Sequence, residues 1–239
     1  MKKSQIKIEP SILSGDFGKL TDEAKRIEAS GADAIHLDVM DGHFVPNLTI
    51  GPQVIAAINR ATDLLLHVHI MIYNPFNYVE RFVEAGADRL TFHFEATENV
   101  DETLEYIRKC NIEAGLAFCP ETSAEFAIKY LTKCDFVLMM TVHPGFGGQK
   151  FMPEVLEKVT FLREMIDRLN IRQRGVVVPA DKKESVPPFE IGVDGGINDE
   201  MARRAVKAGA TTLVAGNYLF NEVEEMAAGV KILRACGEQ

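Results

Sequence analysis

The sequence predicts a single-domain α/β protein, a closed (β/α)8 TIM barrel with a parallel sheet. Three observations carry this expectation. Short apolar runs alternate with amphipathic stretches through all 239 residues, as strands do when each is followed by a crossover helix. The phrase Gly-Ala-Asp recurs at Gly31-Ala32-Asp33 and Gly86-Ala87-Asp88, with Gly209-Ala210-Thr211 as a variant. Each copy sits where a helix gives way to the next strand, with glycine as the C-cap. Eight such units fit a barrel of this length, whereas an open doubly wound sheet would usually show fewer strands.

Taken in order, the strand candidates are residues 6–13, 34–39, 64–71, 89–94, 114–118, 136–140, 191–194 and 212–215. Helix candidates lie near 16–30, 51–61, 75–86, 99–111, 122–132, 152–170, 198–208 and 222–235. Asn74-Pro75 and Met152-Pro153 suit helix starts, and Asn198-Asp199-Glu200 places acceptors in a first turn. Residues 172–189 break the rhythm with Pro179, Pro187 and Pro188 among charged residues. This stretch is longer than most helix-to-strand loops. At the bottom of a barrel it reads as a surface excursion or an oligomer contact, away from the chemistry.

Composition narrows the function. The chain is 46% hydrophobic and 26% charged, with a net charge of −9. That argues against general binding to nucleic acid or to a membrane surface. An anionic substrate stays open, because backbone N–H groups at helix starts bind phosphate without net positive charge. Cys110, Cys119, Cys134 and Cys236 show no paired spacing and read as free thiols in a reducing compartment. With no apolar leader and no run long enough to span a bilayer, the expected location is the cytoplasm.

Polar residues gather where the strands end, which in a barrel is the active-site face. Ser11 lies near the end of the first strand, His36 and Asp38 share one face of the second, and His67 and His69 share one face of the third. His93 ends the fourth and Asp194 the seventh. Imidazole with carboxylate suits zinc, manganese, iron(II) or cobalt better than magnesium or calcium. A buried His–Asp hydrogen bond is the bland alternative, and spacing does not choose between His67 and His69. Glycine-rich turns follow three consecutive final strands: Pro144-Gly145-Phe146-Gly147-Gly148-Gln149, Asp194-Gly195-Gly196 and Gly216-Asn217. Glycine permits close approach of backbone to phosphate, and barrels commonly hold a substrate phosphate after strands 7 and 8.

Longer motifs carry a resemblance. Pro10-Ser11-Ile12-Leu13-Ser14, the run from His36 to Asn47 (His-Leu-Asp-Val-Met-Asp-Gly-His-Phe-Val-Pro-Asn), His69-Ile70-Met71, the run from Met140 to Gln149, and Val193-Asp194-Gly195-Gly196 occur in order. In these the chain resembles the ribulose-phosphate 3-epimerase family over nearly its whole length. The resemblance implies one divalent transition metal on His36, Asp38, His69 and Asp194, with Asp38 and Asp194 also the acid–base pair. It implies Met40, Met71 and Met140 lining the site, Ser11 and His69 contacting substrate, and phosphate against Gly147, Gly148, Gly196, Gly216 and Asn217. Gly145 and Gly195 belong to the same substrate-binding set. The implied reaction is D-ribulose 5-phosphate to D-xylulose 5-phosphate through an enediolate, in the pentose phosphate pathway, by a homo-oligomer acting on a small phosphorylated ketose.

The chain departs from the family pattern at Asn217 (usually a small serine), at His67 (often aspartate), at His143 (commonly asparagine, glutamate or aspartate) and over 172–189. Asn217 keeps D-allulose 6-phosphate open as the substrate. Two other classes compete. The decarboxylases related to orotidine phosphate decarboxylase carry lysine two residues after the first aspartate, where this chain has Met40. A non-catalytic sugar-phosphate binder predicts loss of Asp38 or Asp194, and both are present.

Overall fold

Each strand expected from the sequence is present and is followed by helical structure. In the computed structural model, which describes residues 6–179 and 185–238, β1 (Lys7–Pro10) leads to α1 (Leu20–Ala29), β2 (Ala34–Met40) to α2 (Pro52–Asn59), and β3 (Leu65–Met71) to α3 (Val79–Glu84). β4 (Arg89–His93) and α4 (Val100–Lys109), then β5 (Glu113–Phe118) and α5 (Glu125–Ile128), continue the alternation. β6 (Phe136–Met140) and α6 (Val155–Arg168) precede a small hairpin, β7 (Ile171–Arg172) with β8 (Val176–Val177). β9 (Glu190–Asp194), α7 (Asp199–Ala208), β10 (Thr212–Ala215) and α8 (Met226–Ala235) complete the chain.

The main sheet has eight strands in the order β1-β10-β9-β6-β5-β4-β3-β2, all pairs parallel. A parallel bridge from Ser11 to His36 brings its two ends together. The repeated junction has a clear physical role. Gly31, Gly86 and Gly209 all take positive φ (76°, 98° and 112°), which lets each helix stop and turn. The aspartates that follow accept backbone N–H groups of the preceding strand: Asp33 from Ile8 and Asp88 from Leu66, both at 2.8 Å. Thr211 does the same for Ile191 at 3.0 Å. Asp135, without the full phrase, does it for Ala114 at 2.8 Å. The repeat therefore stitches neighbouring strands at the bottom of the barrel.

Several boundaries differ from expectation. β1 ends at Pro10, one further ladder bond runs from the Ser11 N–H to the Ala215 carbonyl at 3.1 Å, and residues Ile12–Ser14 form a 3-10 turn. The first turn of the third helix is 3-10 over Pro75–Tyr78, after Asn74 at φ 52°. The fifth helix shrinks to Glu125–Ile128, and the last begins after a π-helical turn at Tyr218–Glu222. The 172–189 stretch contributes the β7–β8 hairpin, with Arg172 donating to the Val186 carbonyl at 3.0 and 2.9 Å. Its residues 180–184 lie outside the described residues.

The main core lies between sheet and helices, from Ile8, Ile35, Val68 and Leu90 out to Leu104, Leu162 and Leu233. Inside the barrel the two halves differ. Ala117, Phe136, Leu138 and Val214 fill one side with apolar atoms. The other side holds Glu9, His36, His67 and Arg89, all at most 1% exposed. That polar side supports the site.

Candidate active site

Register on adjacent strands builds most of the site. β2 and β3 pair so that His36 lies beside His67, Asp38 beside His69 and Met40 beside Met71. Alternation sends all six inward, in layers that rise toward the C-terminal mouth. Asp194 reaches the same layer from the end of β9, two strands beyond β1.

Four side chains converge. His36 Nε2 lies 3.3 Å from Asp38 Oδ1, 3.5 Å from Asp194 Oδ2 and 3.3 Å from His69 Nδ1. His69 Nδ1 lies 3.1 Å from Asp38 Oδ1 and 3.7 Å from Asp194 Oδ2. Ligands about 2.0–2.1 Å from a tetrahedral ion stand ~3.3 Å apart, so these five separations suit one ion bound by two nitrogens and two oxygens. His67 is not in the group. It sits one layer lower, with Nδ1 2.5 Å from Glu9 Oε2 and Nε2 2.7 Å from Thr91 Oγ1.

The electrostatics agree with a cation-seeking site. Burial raises the Asp38 carboxyl, but the His36 charge and hydrogen bonds from His36 and His69 hold it well below the usual carboxylate range. Burial opposes charge on His36, and Asp38, Asp194 and Glu9 overcome it and push the imidazole well above its ordinary value. Two carboxylates with two imidazoles thus require a positive charge among them, supplied by a proton or by a metal ion. Burial, aided by His36 and Arg89, instead pushes His67 down to about 3. The outer nitrogen of His69 continues to His93 Nε2 at 2.9 Å, and His93 Nδ1 to Glu95 Oε2 at 3.3 Å. Such outer carboxylates orient metal-binding imidazoles. Ser11 Oγ donates to Asp38 Oδ2 at 2.6 Å and holds that carboxylate from the side away from His69.

Above this group opens a cavity of about 380 Å³. Asp38 and Asp194 form its floor, beside Met40, Met71, Met140 and Ser11, and all the expected glycines line it together with Asn217. The rim is held in shape by the chain itself. Gln149 Nε2 donates to the carbonyls of His143 (2.6 Å) and Phe146 (2.9 Å), and Asn47 Nδ2 to that of Gly145 at 2.7 Å. Gly196, at φ 65°, would place a Cβ 2.6 Å from the Phe151 nitrogen, and one on Gly216 would lie 2.5 Å from Ser14 Oγ. At Gly196 no larger residue fits without displacing the loop, whereas at Gly216 a Cβ would displace only the Ser14 hydroxyl. Asn217 is turned aside: Nδ2 donates to Glu222 Oε1 at 2.6 Å, and Oδ1 accepts from Asn221 at 2.9 Å. His143 pairs with Glu121 at 3.1 Å, both more than half exposed.

Comparison with known proteins decides the family. A sequence model of the ribulose-phosphate 3 epimerase family matches residues 7–220. The chain belongs to the ribulose-phosphate 3-epimerase family. A Chlamydia muridarum protein named ribulose-phosphate 3-epimerase is 51% identical over 239 residues, all of this chain and 98% of its own. A Bacillus subtilis protein of that name is 43% identical over 223 residues, covering 93% and 96%. By these likenesses this chain is an enzyme of the epimerase family, and the family acts on a sugar phosphate. Solved structures show the barrel alone at low identity. KGPDC from Streptococcus mutans matches at TM-score 0.66 and 12% identity, covering 98% of each chain. A 3-hexulose-6-phosphate synthase matches at 0.62 and 19%, covering 97% of this chain and 99% of its own.

Sequence reading missed Glu9, Arg89 and Glu95, which lie just outside the four-residue group. The signal was available for two of them. Glu9 shares the inward face with Ser11, and Arg89 shares that of Thr91 and His93, so each is a charge inside a barrel.

Proposed function

We propose that this chain interconverts D-ribulose 5-phosphate and D-xylulose 5-phosphate by 1,1-proton transfer at C3. The observation that carries the proposal is the meeting of Asp38 and Asp194 at the cavity floor, from β2 and β9, around the two imidazole nitrogens. A divalent transition metal on His36, Asp38, His69 and Asp194, whether zinc, iron(II), manganese or cobalt, would polarise the substrate carbonyl and stabilise developing oxyanion charge. One carboxylate removes the C3 proton. The other delivers a proton to the opposite face of the resulting enediolate, which inverts the centre without turning the sugar over. Ser11 keeps Asp38 aimed, the three methionines exclude water, and the glycine turns hold the phosphate so that C3 stays between the carboxylates.

The reading includes a homo-oligomer in the cytoplasm. Four unpaired cysteines support a reducing compartment, and Leu48 and Tyr73, 73% and 51% exposed on the loops after β2 and β3, offer apolar surface for a second copy. Among the described residues no helix is long and apolar enough to cross a membrane.

The test is kcat/KM for D-ribulose 5-phosphate beside D-allulose 6-phosphate, repeated with Asp38→Asn and Asp194→Asn. The pentulose should be preferred at least tenfold, and each variant should lose at least about 100-fold in kcat, the low end of an acid–base contribution. Preference for the hexulose would replace the substrate, and near-normal turnover in either variant would remove the two-carboxylate mechanism.

A further inference from the structure

We propose that Glu9 is the positioning residue for His36, holding the ring with Nε2 toward the metal site, while Arg89 and His67 hold Glu9. The inference rests on the metal reading above. Glu9 is 1% exposed and belongs to no step of the proposed reaction. Its Oε1 accepts from Arg89 Nη1 at 3.3 Å, while Oε2 lies 2.5 Å from His67 Nδ1 and 3.8 Å from His36 Nδ1.

Proton placement follows from the network. The Glu9 carboxylate only accepts, so the proton of the neutral His67 ring lies on Nδ1, directed at Glu9 at 2.5 Å, and Nε2 is left to accept from the Thr91 hydroxyl at 2.7 Å. When Nε2 of His36 serves as a ligand, its proton is on Nδ1. The two Nδ1 atoms are 3.3 Å apart, and two N–H groups do not bond to each other, so the negative group that faces both is Glu9, hydrogen-bonded to His67 at 2.5 Å and in ion-pair range of His36 at 3.8 Å. A carboxylate behind a ligating imidazole fixes its tautomer and orientation and raises its basicity. His69 has the equivalent support through His93 and Glu95, and Glu9 supplies it for His36.

A second metal among Glu9, His36 and His67 is the competing reading. The 2.5 Å between His67 Nδ1 and Glu9 Oε2 is a hydrogen-bond length, shorter than the ~3.3 Å between ligands of one tetrahedral ion. Arg89, with its guanidinium 1% exposed, already provides the positive charge this lower layer requires. A purely architectural Glu9–Arg89 pair would not need an oxygen facing His36.

The experiment measures zinc affinity of the full chain by chelator competition for wild type, Glu9→Gln and Glu113→Gln. Circular dichroism in the metal-free state checks each fold. Glu113 also pairs with Arg89, at 2.5 Å, but on the side away from His36, so its variant is the control for a disturbed ion network. Glu9→Gln should bind zinc 10- to 100-fold more weakly, the usual effect of removing an outer-shell partner, and Glu113→Gln should stay within twofold of wild type. A Glu9→Gln affinity within threefold of wild type, or an equal loss in both variants, overturns the positioning role. A loss from two zinc equivalents to one points to the second metal and also overturns it. Should Glu9→Gln fail to fold, 15N-histidine spectra of the zinc-loaded wild type decide. His36 must carry its proton on Nδ1, and a bare Nδ1 refutes the inference. Wild type without zinc affinity would remove the metal reading itself, a result distinct from loss in the variant alone.

Discussion

Replacing Arg89 by methionine tests whether the barrel floor depends on this buried guanidinium. Arg89 contacts Glu9 at 3.3 Å, Glu113 at 2.5 Å and Glu190 at 2.9 Å, and lies 4.3 Å over the Phe136 ring. Methionine fills similar space without charge. The three carboxylates then fare differently. Glu113 is 22% exposed and regains water, and Glu190 keeps Lys7 at 2.5 Å. Glu9, with 2% side-chain exposure, keeps its hydrogen bond with His67 at 2.5 Å but loses the permanent cation beside it. Removing one partner of a buried pair costs about 3–5 kcal/mol. With most of the loss confined to Glu9, the expected figure is about 3 kcal/mol, or roughly 6–12 °C in melting temperature for a domain of this size. Urea unfolding of chelator-treated protein at pH 7 measures it directly. By contrast, Glu113→Gln should cost less than about 1 kcal/mol, since it strands no buried charge. A loss below about 1 kcal/mol for Arg89→Met, or equal losses for both variants, would refute the reasoning.

Other outcomes follow from the same geometry. Glu95 is pulled from 4.5 to about 2: burial opposes the charge, but His93, Thr122 and the Cys119 N–H outweigh it. A depressed folded pKa stabilises above pH 4.5 and is lost as pH falls toward 2. Discounted for 24% side-chain exposure, Glu95→Gln should therefore cost about 2 kcal/mol at neutral pH. Melting curves should converge below pH 4.5, and a gap constant with pH would contradict this. Removing bound zinc with chelator from protein held at 100 times its dissociation constant should cost about 2.7 kcal/mol, read as a drop of about 5–11 °C by scanning calorimetry. Because the Asn217 carboxamide is engaged by Glu222 and Asn221, Asn217→Ser should change KM for the pentulose phosphate by less than threefold. A tenfold change in steady-state assays would place that side chain on the substrate.

The barrel was legible because its signal is local and repeated. Gly-Ala-Asp marks a helix stop and a strand-stitching carboxylate in one phrase, and Asp33 and Asp88 both perform that role. Boundaries were less legible where backbone chemistry changes within a run, as at Pro10 and at the π-helical turn after Asn217. At the site, alternation placed His36 with Asp38 and His67 with His69 but carried no information on depth along the barrel axis. Depth is what separates the two histidines of β3. Register sets His69 beside Asp38 and His67 beside His36, and register between strands is a property of closure, not of either strand. Glu9 and Arg89 were obscured for a related reason. A charge within an apolar run reads as a solvated edge until its partners, 24 to 101 positions away in sequence, are seen to enclose it.

A net charge of −9 and a phosphorylated substrate are reconciled by where the charges lie. The acidic groups of the barrel interior are already engaged: Asp38 and Asp194 by imidazoles, Glu9 and Glu190 by Arg89. The cavity lining also includes Gly147, Gly148, Gly196 and Gly216, where no side chain covers the backbone, together with Lys150 and Arg204. Backbone N–H groups act over hydrogen-bond distance and are indifferent to total charge. On the reading proposed above they would accept a phosphate, while the net negative charge disfavours extended polyanions such as nucleic acid. That arrangement also separates tasks along the barrel axis. On the reading proposed above, the lower layer of Glu9, His67 and Arg89 would fix ligand orientation, the middle layer of imidazoles and carboxylates would hold charge, and the upper glycine turns would hold substrate. A substitution in the lower layer should therefore shift metal affinity first, one in the middle layer metal affinity and kcat together, and one in the upper layer KM.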